Sequence, residues 1–211
     1  MRRLRAEAPM VTEHTDPLAV GECEWEVFAE RQRADGSRAR GWSTNAGCGL
    51  VKNLDLGLGI GQMRADGLRE RALELYGRWR LRDGGDDSAS VVLVYGLGAL
   101  KSTGRSWRHD STQLLLAVDQ PLGDAPLGRL NLGVSHSRLG RETTRLWALG
   151  ADWSLSEHID LVAETYGAQR SKPWQGLGLR WKPAEGWSFG LMGSRSRDGQ
   201  RGWLLSAQWV H

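Results

Sequence analysis

Alternation with a period of two runs through nearly the whole chain and limits the fold more than any other feature. In NLDLGLGIGQ, residues 53–62, Leu54, Leu56, Leu58 and Ile60 fall on one face of an extended strand. Asp55, Gly57, Gly59 and Gly61 fall on the other. The apolar stripe recurs as Leu73/Leu75, Val91/Leu93/Tyr95/Leu97, Leu114/Leu116/Val118, Leu130/Leu132/Val134, Leu177/Leu179 and Phe189/Leu191. Turn signals between these runs predict strands near 22–34, 40–50, 54–65, 69–82, 89–101, 111–120, 128–138, 144–155, 159–169, 174–182, 187–195 and 201–211. LRERALELYGRWRLRD, residues 68–83, is rich in helix formers, but it alternates as its neighbours do and is assigned to a strand.

A dozen strands is an even number, so the chain starts and ends on one side. One set of connections is tight (VKN, SLSEH, KPAEG), and the other (RADGSRAR, KSTGRSWRHDS, RSRDGQR) is rich in Arg, Ser and Gly. Two classes of turn on opposite ends describe an up-and-down meander, and closing it removes the exposed edges. The expected fold is therefore all-β, a closed antiparallel transmembrane barrel of about 12 strands over residues 21–211. Residues 1–20 are set apart as a leader or periplasmic segment. MRRLR resembles the basic start of a signal peptide and AEA a cleavage site, but no apolar stretch separates them. Two possibilities stay open there: an unstructured leader, or a true start upstream with Pro9 near the mature N-terminus.

No run of 18 apolar residues occurs, which excludes a transmembrane helix and leaves a membrane barrel untouched. The tryptophans point to the barrel. Trp25, Trp79, Trp153, Trp181, Trp187 and Trp209 lie toward the tight-turn ends of their strands; Trp42, Trp147, Trp174 and Trp203 lie toward the other ends. Two indole girdles around an aliphatic band mark a sheet that crosses a bilayer. A soluble lipocalin-like barrel, the competing possibility, would place Trp in mid-strand. Trp174 differs in parity from the aliphatic stripe, which would turn it inward.

The end opposite the tight turns collects most of the Lys and Arg, among them Arg38, Arg40, Arg105, Arg108, Arg141, Arg145, Arg170, Lys172, Arg195, Arg197 and Arg201. The tight-turn end collects Asp83, Asp86, Asp87, Asp124, Glu157, Asp160 and Glu185. A basic rim suits the phosphates of outer-membrane lipid and lipopolysaccharide; a rim that merely keeps the protein soluble is the plainer account. The second strand faces would line a lumen with Glu30, Glu74, Tyr76, Arg78, Arg80, Asp152, Glu164, Tyr166 and Arg180. Glycines at 57, 59, 96, 98, 176 and 178 would leave open space there, or serve only curvature.

Asp35-Gly36 is a strong hairpin signal. A first hairpin turning on it sets residues summing to 71 opposite one another, Trp25 against Ala46 and Cys23 against Cys48. Directly opposed residues lie within disulfide reach, which implies an oxidising compartment. Neither the two cysteines nor the five scattered histidines make a metal motif, and no cofactor is expected. GLGIG is not followed by a glycine at the spacing of a dinucleotide site, nor by a helix. In VSHSRLGRE, residues 134–142, His136 lies between Ser135 and Ser137 with Glu142 nearby. A lipid hydrolase would need a serine and the histidine on one face, and alternation separates them, so no enzyme activity is assigned.

Four stretches, MVTEHTDPLAVGECEWEVFAERQRADG, AGCGLVKNLDLGLGIGQ, LWALGADWSLSEHIDLVAETYGAQRSKPWQGLGLRW and WLLSAQW, resemble transporter-like outer-membrane barrels grouped under a phenol-degradation (MetA-pathway) label. The resemblance covers residues 9–211 and implies a bacterial outer-membrane barrel with both termini periplasmic. The lumen residues point to passage or binding of small solutes, hydrophobic or aromatic ones among them, and no nucleic-acid partner is expected. A barrel closed by its own ion-pair network, presenting basic loops, is the alternative. Eight strands fill with side chains and sixteen leave a channel, so a dozen admits both.

Overall fold

The computed structural model describes residues 12–34, 36–84, 88–122 and 126–211. Twelve strands follow in order: β1 (Cys23–Ala34), β2 (Ser37–Val51), β3 (Leu54–Ala65), β4 (Leu68–Arg82), β5 (Ser90–Ser102), β6 (Arg108–Pro121), β7 (Pro126–Ser137), β8 (Glu142–Ser156), β9 (Ile159–Ala168), β10 (Trp174–Ala184), β11 (Trp187–Ser196) and β12 (Arg201–Val210). Each pairs antiparallel with its sequence neighbours, and β12 closes on β1. The seam continues past the strands through reciprocal bonds of 2.9 Å between the backbones of Cys23 and His211. No helix is found among the described residues.

The expected strands are all present, and several, such as β2 and β6, extend further toward the basic end than their sequences suggest. Arg38, expected in a loop, and Arg40, expected at the start of a strand, both belong to β2, and β1 and β2 are separated by residues 35 and 36 alone. Gly36 has φ 85°, as a two-residue hairpin turn demands; Asp35 lies outside the described residues. Asp66 (φ 49°) and Gly67 (φ 81°) join β3 to β4 in the same way. Positive φ at Asp66 and Gly67 lets β3 and β4 run to their tips, and much of the basic rim is sheet rather than loop. Of the acids expected at the tight-turn end, Asp86, Asp87 and Asp124 lie outside the described residues.

The register of β1 against β2 holds the sum of 71 from Cys23↔Cys48 to Ala34↔Ser37. Cys23 and Cys48 are bonded, with Cα atoms 4.1 Å apart. Alternation then sorts the wall. Leu58, Leu177 and Leu205 face outward and are 58%, 60% and 55% exposed, whereas Asp55 and Arg78, facing inward, are fully buried. This inverts a soluble barrel. Apolar side chains also face inward: Val92, Val94, Leu115 and Ala117 form a small patch on β5 and β6, and Val162, Met192 and Leu204 are buried on other strands.

Trp25, Trp42, Trp79, Trp147, Trp153, Trp181, Trp187 and Trp203 are exposed on the outer surface, and Trp209 is half-buried there. Trp187 stacks on Phe189 and on Trp209, with ring centres 6.0 and 5.9 Å apart. Trp174 shares the inward parity of the buried Arg180, and its ring lies parallel to that of Tyr166 with centres 6.4 Å apart.

Candidate functional site in the barrel lumen

The glycine-lined face of β3 looks inward, but it does not leave open space. A Cβ on Gly57 would come within 2.3 Å of the Tyr76 ring and hydroxyl, because that side chain lies across the glycine. Asn45 occupies the room over Gly59, and Met192 and Glu164 the room over Gly176. Here glycine serves the packing of neighbouring side chains into the lumen.

Residues 12–19 fill more of it. This stretch, set apart from the barrel in the sequence, lies inside it, with Thr12, Glu13, Thr15 and Leu18 buried. Its backbone crosses from one wall to the other. Leu18 N donates to Asp55 Oδ2 on β3 at 3.0 Å, and Thr15 N to Asp119 Oδ2 on β6 at 3.0 Å. Glu13 and Asn131 on β7 bond reciprocally, N to Oδ1 at 2.6 Å and Nδ2 to the Glu13 carbonyl at 3.1 Å. Thr12 N reaches Glu164 Oε2 on β9 at 3.1 Å. An irregular segment inside a barrel has no strand to pair with, so its N–H groups need side-chain acceptors. Four strands supply them, three with carboxylates, whose charge strengthens each bond.

Two ion-pair clusters flank the segment. Arg78 on β4 meets Asp55 through Nε at 2.9 Å and Nη2 at 2.6 Å, and its Nη1 meets the ring of His14. Asp55 therefore serves the segment and the wall together. Arg80 reaches Asp16 at 2.8 Å and Asp83 at 3.3 Å, and its Nε donates to the Thr15 carbonyl at 3.4 Å. Across the lumen Asp152 accepts from both Arg129 and Arg180 at 3.0 Å. Arg180 also meets Asp160 at 3.3 Å, and Lys182 meets the same carboxylate at 2.9 Å.

Of the residues chosen for the lumen, Tyr76, Arg78, Asp152, Glu164, Tyr166 and Arg180 are buried. Glu30, Glu74 and Arg80 are half-buried, and Gln32 donates to Glu30 at 3.2 Å. Asp152 and Arg180 are brought together; Arg78, Arg80 and Glu164 each meet the N-terminal segment. Asp55, on the inward face expected of residues 54–60, is a lumen residue, whereas Asp119, Arg129, Asn131 and Asp160 were not among those expected there. Parity could have found them, since Arg129 and Asn131 alternate with Leu130 and Leu132. No parity rule could have found Thr12 to Leu18.

His136 is exposed and its Nδ1 lies 3.0 Å from Thr143 Oγ1, whereas Ser137 donates to Asp110 at 3.1 Å. The strand separates the histidine from both serines, and no serine–histidine pair forms there. Among the described residues, no group of His, Cys, Asp and Glu could hold a metal ion.

A closed twelve-strand barrel with a charged interior and an aliphatic exterior is the architecture of outer-membrane barrels. The family model described as "Uncharacterised conserved protein UCP029691" matches residues 2–210, and the chain belongs to that family. No curated protein matches the sequence significantly. The fold is similar to that of the KdgM porin solved in complex with disordered oligogalacturonate: TM-score 0.65, 8% identity, 87% of this chain and 98% of that one. It is similar to the COG4313 outer membrane channel of Pseudomonas putida F1, with TM-score 0.65, 12% identity, and coverage of 93% and 98%. The translocator domain of the autotransporter NalP from Neisseria meningitidis aligns with TM-score 0.60, 15% identity, and coverage of 92% and 90%. The barrel thus resembles outer-membrane proteins in fold.

Proposed function

We propose that this protein is a bacterial outer-membrane barrel that binds and passes small solutes, with the N-terminal segment narrowing its lumen. The observation that carries the proposal is the inversion of the wall, ionised and hydrogen-bonded inside and hydrocarbon outside. Such a wall is stable only where lipid covers the outside. The start of β1 and the end of β12 lie at the end opposite the basic rim, which this proposal places in the periplasm; the basic end then faces outward. The lumen carries both signs of charge and, at Tyr166 and Trp174, a pair of parallel aromatic rings. That pair favours solutes with an apolar or aromatic body, in keeping with the resemblance to transporter-like barrels of the phenol-degradation group. Likeness to the KdgM porin and to the Pseudomonas channel supports passage rather than catalysis.

A second function, a barrel permanently filled by its own chain, is favoured by the hydrogen bonds that tie residues 12–19 to four strands. Single-channel recording separates the two. The full chain in a planar bilayer is expected to give small conductance steps, and a chain lacking residues 1–19 steps several-fold larger. Silence from both, with insertion demonstrated, would sink the passage proposal.

A further inference from the structure

The outer surface at the basic end carries an arrangement that folding alone disfavours. Arg31, Arg40, Arg64 and Arg69 stand directly opposite one another in sequence across β1, β2, β3 and β4. One step further out, Arg195, Arg201, Arg33 and Arg38 do the same across β11, β12, β1 and β2. All eight are exposed. Like charges directly opposite on a sheet repel, each pair at a cost of about 0.2–1 kcal/mol. No carboxylate among the described residues makes an ion pair with any of the eight. The acids of that end are held elsewhere, Asp66 by Ser37 and Asp198 by Ser196, while Glu70 accepts from Ser102. The opposite flank differs: the outward positions of β7 to β10 carry Arg145 alone among Lys and Arg, and it faces Val134.

The rows also have a definite height. Trp42 follows Arg40 by two residues on β2, and Trp203 follows Arg201 by two on β12, each exposed beneath its arginine. Two residues of strand are about 7 Å, and Trp203 stands opposite Arg31, so the guanidinium rows begin beside the indoles and extend outward from them. Indole prefers the headgroup boundary, which puts the arginines at the level of lipid phosphates. Four neighbouring strands span about 14 Å, room for more than one phosphate.

We infer that the outer face of β11, β12 and β1 to β4 is a binding site for a lipid with several phosphates, namely the lipopolysaccharide of the outer leaflet. The phosphates bridge the two arginine rows and relieve their repulsion, and the acyl chains lie along the aliphatic band below. This inference rests on the outer-membrane proposal.

The test uses the full chain refolded in zwitterionic detergent, titrated with lipopolysaccharide and with its dephosphorylated form, with bound lipid counted by native mass spectrometry. The R40Q/R64Q variant is expected to bind lipopolysaccharide about tenfold more weakly, and the wild type to lose a similar factor when the phosphates are removed. R145Q, on the other flank, should bind as the wild type does, and free inorganic phosphate at equal concentration should not displace the lipid. Without lipid, R40Q/R64Q should melt no lower than the wild type, because it removes repulsion. Equal binding by R40Q/R64Q, equal binding of the dephosphorylated lipid, or a lower lipid-free melting temperature would overturn the inference. A chain that enters vesicles but shows no preference for the phosphorylated lipid ends this inference only. A chain that stays dissolved without detergent ends the outer-membrane proposal with it.

Discussion

Arg78 with Asp55 and Arg180 with Asp152 are chemically the same pair, both buried in one lumen, yet they are built differently. Asp152 lies between Arg129 and Arg180, and Arg180 is shared with Asp160, so that cluster bonds wall to wall across β7 to β10. Asp55 divides itself between Arg78 and the backbone of Leu18, and Arg78 in turn meets His14. Among the described residues, one cluster joins strand to strand, and the other also holds the segment inside. A buried ion pair whose desolvation is offset within the wall cannot be given up without unfolding. A pair that faces a segment with no strand pairing of its own can exchange that segment for water. The difference lies in which groups complete each charge.

Asp152→Ala sharpens the contrast most. It leaves two buried guanidiniums short of their common acceptor and should cost about 3–5 kcal/mol, read as earlier denaturant unfolding of the detergent-bound barrel. Asp55→Asn keeps the shape, weakens the Arg78 pair and the bond to Leu18, and should cost about 1–3 kcal/mol. Its larger effect should be on residues 12–19, which become accessible to protease and raise single-channel conductance. If Asp55→Asn instead destabilises the barrel as much as Asp152→Ala and leaves the segment protected, the two clusters are equivalent and the comparison fails. Arg80→Gln should be smallest, about 0–1 kcal/mol in thermal unfolding, because its partner Asp16 is 79% exposed at the side chain.

The elements differ in how openly the sequence announces them. β3 could be read residue by residue, because Leu58 and Ile60 must face one solvent and Gly57 and Gly59 another. The Cys23–Cys48 bond was equally legible, since one hairpin turn sets every pair along β1 and β2. The occupants of the lumen were not. Tyr76 lies over Gly57 because β4 happens to pair there, and neither residue alone specifies the other. The rim was half legible: its charge is plain in the sequence, but the opposition of Arg31 to Arg40 and Arg40 to Arg64 depends on the registers of three strands.

Strand number, closure, facing and the first hairpin register were thus determined by the sequence itself, through local signals: period-two alternation, turn residues with positive φ, and indoles at strand ends. What the tertiary structure alone decided is the filling of the barrel. Thr12 to Leu18 carry no periodicity, and their acceptors Glu164, Asn131, Asp119 and Asp55 are spread over more than a hundred residues of chain. Such contacts exist only after the ring has closed, because closure is what brings β3 and β9 to opposite sides of one narrow, water-poor space where an unpaired N–H must find a carboxylate.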